Sequence, residues 1–386
     1  MRLLPFDYAI RNLGRSPHRL AATVLGSAVV VGVFVSAAAF LHGMDVGLAR
    51  SGGPENVLLL GAGSEESIER SEIPPAHAGI VAAGVRGIRR RFDAAYVSPE
   101  VHLALAVSAG GAPPRLAPLR GITPGAFLVH PQVRIAEGRA PAAGRAEVLV
   151  GARVAARLGV RESDLAVGRT LRFERRDWTI VGRMKAPATV MDAEIWCPLN
   201  DLMLAARRTT LSCVVLTLDS ADLADVDAFC KHRVDLQMVA LRQQDYYDSL
   251  REFYAPIRLI VWATAGLVSI AGLFGGLNTL YAAFSTRIRE LAALQTLGFS
   301  RRAIVLSLIQ EATVASIAGA LLAVLSARVL LDGLAVRFSM GVLSLRVDSG
   351  VVALGLAAGL LLGAAGALPP AYRCLRPGIP EALRAA

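Results

Sequence analysis

The chain has 386 residues, 54% of them hydrophobic and only 6% aromatic, with a mean hydropathy of +0.49 and a formal net charge of +10. Soluble domains are usually about 45–50% apolar, so the excess, carried by Ala, Leu, Val and Gly, argues against an ordinary soluble enzyme and for membrane spans packed through small residues. The basic charge does not argue for nucleic acid, because the arginines gather at the ends of apolar runs, where membrane topology places them.

Residues 1–19 form an arm carrying Arg2, Arg11, Arg15 and Arg19, with Leu3, Leu4, Ile10 and Leu13 available for an apolar face on a membrane surface. Residues 20–44 contain no Asp, Glu, Lys or Arg. That run exceeds the roughly 20 residues needed to cross a bilayer and is too long for a signal-peptide core of about 7–15, although Ala37 and Ala39 offer a small-x-small cleavage pattern.

Residues 45–254 read as an extracytoplasmic domain large enough for its own core. Asn56–Leu60 and Val148–Val150 have the character of buried strands. Leu171 and Phe173 alternate with polar neighbours, as do Trp178 and Ile180, so a hairpin turning at Arg175-Arg176-Asp177 is expected. Cys213–Leu218, Ala221–Arg233 and Val234–Ala240 read as strand, helix and strand. The Pro-rich stretch Gly110–Pro118 is expected to be a loop and a seam between two lobes. Arg86, Arg89, Arg90 and Arg91 form a basic patch, read as a solvated face in preference to a lipid or partner site.

The second span is 255–286, uncharged from Leu259 onward, followed by a segment at 287–302. There Ile288, Leu291, Leu294 and Leu297 recur every three residues, a narrow apolar stripe on a short helix. Gly298 reads as its stop and Ser300 as the N-cap of the next helix. Such a helix suits a lever held against a partner; an ordinary charged loop is the competing reading. The third span, 303–327, is interrupted by Glu311. A carboxylate inside a span is a functional candidate by default, and structural pairing with an arginine near the surface is the preferred reading. After a short loop at 328–348 comes the fourth span, 349–372. In it Gly355, Gly359 and Gly363 make a small-xxx-small ladder for close helix packing, within the chain or across a dimer, and Pro369-Pro370 mark its end. The tail is 373–386.

The expected fold class is therefore a membrane protein, α plus mixed α/β: four transmembrane helices with a large extracytoplasmic α/β domain between the first and second. Arg2, Arg11, Arg15 and Arg19, then Arg287, Arg289, Arg301 and Arg302, then Arg373, Arg376 and Arg384, would share one side, against Arg328, Arg337 and Arg346 on the other. That bias makes the termini and 287–302 cytoplasmic.

No catalytic constellation is legible. A P-loop needs GxxxxGK[ST], and Lys185 and Lys231, the only lysines, lie outside such a context. HExxH, GxSxG and the Rossmann fingerprint are missing, and the six histidines are scattered. Cys197, Cys213, Cys230 and Cys374 form no CxxC pair; buried thiols are expected, with one bridge among the first three left open. No catalytic, cofactor-binding or metal residue is therefore expected.

These residues also resemble a family. TRIRELAALQTLGFSRRAIVLSLIQEA resembles the signature of MacB-type permeases of the FtsX superfamily, in which R-x-R-E is followed by "aLG" and, after a spacer, "EA". The tail PPAYRCLRPGIPEALRAA, the start AIRNLGRSPHRLAATVLG and the stretch RGITPGAF…EGR…EVLVGARVAARLG…VGRTLRFERRDWTIVGRM are similar to the family's ending, N-terminal elbow and core domain. The resemblance implies a non-catalytic permease subunit of the bacterial inner membrane. It would work as a homodimer or with a paralogue, driven by a separate cytoplasmic ABC ATPase that holds the ATP and Mg, and on the outer side with a periplasmic adaptor. The family's mechanism is mechanotransmission, in which ATP-driven closure moves the spans and the outer domain with them to export or extract a substrate. By position Arg287, Arg289, Glu290, Leu294, Leu297 and Gly298 fall in the coupling segment, and Glu311 matches the "EA" glutamate. Two departures stand out: the ATPase fused in MacB itself has no counterpart here, and Phe299 replaces the usual small residue after "LG". The alternative is an ATPase-driven regulator of an outer partner, such as a cell-wall hydrolase, with no transport.

Overall fold

The computed structural model describes residues 6–338 and 341–384; the expected apolar arm positions Leu3 and Leu4 lie outside them. The chain divides into two compact units, one made of Met1–His42, Pro256–Leu334 and Leu345–Ala386, the other of Gly43–Ala255 and Ala335–Ser344.

In the first unit a short helix, Phe6–Gly14, precedes four helices long and apolar enough to cross a membrane: Pro17–Ala49, Ala255–Ser285, Arg301–Leu330 and Ser349–Cys374. The shortest has 26 residues, about 39 Å at 1.5 Å per residue, which exceeds the roughly 30 Å hydrocarbon core. Arg301–Leu330 is the hub. Its buried face repeats small residues at Ala312, Ala315, Gly319, Ala323 and Ala327, so neighbouring backbones approach closely. The second span is its opposite, with only Ala265 and Phe284 buried. The fourth helix does not stop at Pro369-Pro370 but continues to Cys374. Each proline forgoes one backbone hydrogen bond and its ring crowds the carbonyl four residues back; for Pro370 that residue is Gly366.

The second unit is a mixed α/β domain on a ten-stranded sheet. In chain order its strands are β1 (Asn56–Gly61), β2 (Val97–Ala109), β3 (Arg115–Ile122), β4 (Arg134–Gly138), β5 (Glu147–Gly151), β6 (Thr170–Phe173), β7 (Arg176–Lys185), β8 (Ile195–Pro198), β9 (Cys213–Thr217) and β10 (Met238–Arg242). The spatial order is β10-β1-β9-β2-β3-β8-β5-β7-β4, with β6 bridging β2 and β7. The β3/β8 and β5/β7 pairs are parallel and the rest antiparallel. Strands β1, β5 and β9 are buried along their whole length, as their continuous apolar runs require.

Several expectations shift. The β6/β7 turn falls at Glu174-Arg175, both left-handed (φ 47° and 60°), so Arg176 and Asp177 pair in the strand opposite Phe173 and Arg172. Gly110–Pro118 is no seam. Val107 pairs with Arg115, so the stretch closes the β2/β3 hairpin inside one continuous sheet. Pro118 is tolerated there because β8 joins the other edge of β3 only from Leu119. Val234–Leu236 is a 3-10 turn, and the expected strand begins only at Met238. Within 328–348 the backbone forms a hairpin, Ala335–Phe338 with Gly341–Ser344, that belongs to this second unit. In the basic patch, Arg89 pairs with Glu55 at 2.8 Å while Arg90 and Arg91 are exposed. All four cysteines are free and buried, which closes the question of a bridge.

Candidate functional site

Glu311 sits in the hub helix with its side chain 17% exposed. Arg287 donates from Nη1 to both carboxylate oxygens, at 3.3 and 3.1 Å, and Asn12 of the N-terminal helix donates from Nδ2 to Oε2 at 2.5 Å. The same guanidinium donates from Nε to Glu290 at 3.2 Å. One carboxylate thus ties together three separate stretches of chain. The pairing with an arginine expected for Glu311 is made by Arg287, which offsets the cost of a charge in a span. Asn12 was not legible in advance, because nothing in the sequence links it to a residue 299 positions away.

The segment between the second and third spans folds as a helix, Ile288–Thr296. Its end is a Schellman motif: Phe299 N–H donates to the Leu294 carbonyl and Gly298 N–H to that of Gln295, with Gly298 at φ +88°. Phe299, the residue that departs from the family pattern, packs with Leu294 on one apolar cluster, the contact that commonly accompanies this cap. Ser300 caps the next helix, its hydroxyl accepting from Ala303 N–H at 3.3 Å.

The apolar stripe is not the free face. Leu291 is buried, and Ile288 and Leu294 pack against the chain's own cluster of Phe284, Ile304, Leu308 and Ala371. Leu297 is 69% exposed. The reason is angular. Each three-residue step falls about 60° short of a full turn, so three steps carry Leu297 to the side opposite Ile288. The face left open comprises Arg289, Glu290, Ala293, Thr296, Leu297 and Gly298.

The glycine ladder is spent inside the chain. A Cβ on Gly355 would meet Val35 Cγ2 at 2.6 Å; on Gly359, Ala320 Cβ; on Gly363, Thr313 Cα at 2.7 Å. All three contacts lie on the first and third spans, so the ladder is an internal seam.

The outer domain holds an ionic knot that the sequence reading missed. Glu100, fully buried on β2, accepts from Arg120 at 2.8 Å, His130 at 2.8 Å, His102 at 3.1 Å and Ser98 at 2.9 Å. Arg120 on β3 also forks onto Glu194, with both bonds at 2.7 Å, and Trp196 Nε1 donates to the same carboxylate. Burial alone would raise the Glu100 pKa, but the facing His130 and Arg120 and the donated hydrogen bonds hold it well below the carboxylate range. A cavity of about 110 Å³ opens beside the knot, lined by Arg120, His102, Glu194 and Tyr247. Glu100, His102 and Cys213 bring one ligand atom each within 4.8 Å of one another. They do not suit a cation. Both Glu100 oxygens are already taken by donors, a guanidinium lies against one of them, and burial pushes the Cys213 thiol away from thiolate. The legible trace of the knot was Ser98, Glu100 and His102 at a spacing of two, three polar residues on one strand face.

The family model of the MacB-like periplasmic core domain matches residues 20–228, more than half of the chain, and that of the FtsX-like permease C-terminal domain matches 262–379. The chain belongs to the MacB/FtsX-type permease family. Among solved structures, this permease is similar to the periplasmic region of MacB from Actinobacillus actinomycetemcomitans. The identity is 11% and the TM-score 0.41, over 52% of this chain and 94% of that one. It is also similar to the extracellular domain of the noncanonic ABC-type transporter YknZ from Gram-positive bacteria, with 14% identity and a TM-score of 0.38, over 48% of this chain and 99% of that one. No curated protein matches the chain. The family is one of membrane permease subunits, generally non-catalytic, and the coupling-segment residues read from the sequence all lie in the permease half of the molecule.

Proposed function

We propose that this permease is the membrane subunit of an ABC exporter or extraction machine, working by mechanotransmission with a separate ATPase chain. The ATPase, holding ATP and Mg, would dock on the open face of Ile288–Thr296 from the cytoplasm, with both termini on that side of the inner membrane. One observation carries the reading: the short helix is exposed on one face and tied on the other. Its inner face is packed, its end is capped, and Arg287 joins it to Glu311 of the hub helix, which Asn12 in turn ties to the N-terminal helix. A push on Glu290 or Leu297 would then be passed on instead of being absorbed by a loose loop. The exposed apolar length of the second span, including the open Gly275 and Gly276, supports a second permease copy as its partner. A periplasmic adaptor on the outer domain completes the assembly.

The test is to express the chain with its ATPase and measure ATP turnover in the purified complex. Glu290→Arg with Leu297→Asp should abolish stimulation of turnover while the chain still folds. Leu294→Asp is a poor probe, because it would put a charge into the chain's own packing. Undiminished turnover in the double variant would count against docking on this face.

A further inference from the structure

We infer that the first unit carries a phosphate-binding pocket between the N-terminal elbow and the coupling segment. A cavity of about 300 Å³ lies there, lined by Arg15, Ser16 and Arg19 on one side and by Arg287, Glu290 and Glu311 on the other. Three guanidinium groups face two carboxylates, and the carboxylates are spoken for: Glu311 accepts from Arg287 and Asn12, and Glu290 from Arg287. Arg15 and Arg19 are exposed and make no side-chain hydrogen bond or ion pair among the described residues. Arg287 Nη2 is buried without a hydrogen-bond partner, a charged donor left over at the site. The Ser16 carbonyl accepts the first hydrogen bonds of the helix Pro17–Ala49, so the positive end of that helix lies at the same place.

Two free guanidinium groups, a spare buried N–H and a helix start are the elements that bind a phosphate. The depth fits as well. The pocket is at the beginning of a helix long and apolar enough to cross a membrane, where headgroups would stand, and part of its remaining wall is apolar, with Leu20, Leu280 and Phe284. The ligand is a phosphate-bearing anion, supplied either by the headgroup of an anionic lipid or by a soluble phosphoester. Because the pocket borders Arg287 and Glu290, its occupant would stiffen the link between elbow and coupling segment. The binding itself does not rest on the ATPase reading and is measured on the chain alone.

The experiment is native mass spectrometry of the full chain released from detergent, with added dioleoyl phosphatidylglycerol or dioleoyl phosphatidylcholine. Phosphatidylglycerol is expected to bind in preference, and Arg15→Gln with Arg19→Gln to weaken it at least about tenfold. Arg301→Gln with Arg302→Gln, the same charge change outside the pocket, should leave binding unchanged. Arg15→Lys with Arg19→Lys should keep part of it. Inorganic phosphate distinguishes the sources: displacement of the lipid at millimolar phosphate marks a soluble phosphoester site, and failure to displace marks a lipid headgroup site. Equal binding of the two lipids, or equal loss in the two glutamine variants, would overturn the proposal.

Discussion

Two ion pairs, one half-buried and one buried, do different work, one in each unit. In the first unit, Arg287 and Glu311 are 12% and 17% exposed, so removing one partner strands a charge. Glu311→Ala should lower the unfolding free energy of the solubilised chain by about 3–5 kcal/mol, and Arg287→Met with Glu311→Leu should recover most of that loss. Thermal unfolding in detergent reads both; a double variant no better than the single would show that the pair is not the reason. In the outer domain, the knot makes stability depend on pH. Burial, and then Arg120, lower the His102 pKa, so the ring is neutral in the folded chain. The unfolded ring protonates near its ordinary value of about 6.5, so acidification below that point favours unfolding. Glu100 and Glu194 are held below the carboxylate range, burial being outweighed by Arg120 and, for Glu100, by His130 as well. Their contribution is complete above about 4.3 and is lost as pH falls below it. Both effects have one sign: fluorescence-monitored unfolding, with Trp196 against Glu194 as reporter, should show stability falling from pH 7 to 4. A flat profile over that range would contradict it.

At the scale of elements, the sequence shows which segments are helical better than it shows what their faces meet. The three-residue recurrence from Ile288 to Leu297 identifies a helix, and Gly298 its stop, because both depend on local geometry. The same recurrence cannot say which face is covered. That is decided by Phe284, Ile304 and Leu308, which come from two other helices. Periodicity also hides the rotation that exposes Leu297 while Leu291 is buried. The glycine ladder behaves alike: its spacing announces close packing, and only the positions of Ala320 and Thr313 show that the packing is internal. The turn at Glu174-Arg175 lies one residue before the position the composition suggests, because two consecutive left-handed non-glycine residues leave no compositional mark. Pro369-Pro370 suggests an end, yet the helix runs on to Cys374, because a proline's local preference yields to packing on both sides of it.

For the whole molecule, hydropathy made the four spans and the intervening domain legible, since crossing a bilayer demands long uncharged runs. The sheet order and the ionic knot were not legible. Arg120 and Glu194 are 74 positions apart, and His130 and Glu100 are 30 apart, so only the fold brings them together. Within the first unit, the same long-range pairing ties the segment at 287–302 to the hub helix and the N-terminal helix. The central claim, that a separate ATPase docks on the open face of this segment, is tested most directly by site-directed crosslinking in the assembled complex. The four native cysteines are all buried, so an introduced thiol dominates the reaction. Leu297→Cys is expected to crosslink to the ATPase in a manner that changes with ATP, whereas Leu294→Cys, on the packed face, is not. A complex that forms without any crosslink from position 297, or with equal crosslinking from 294, would contradict it.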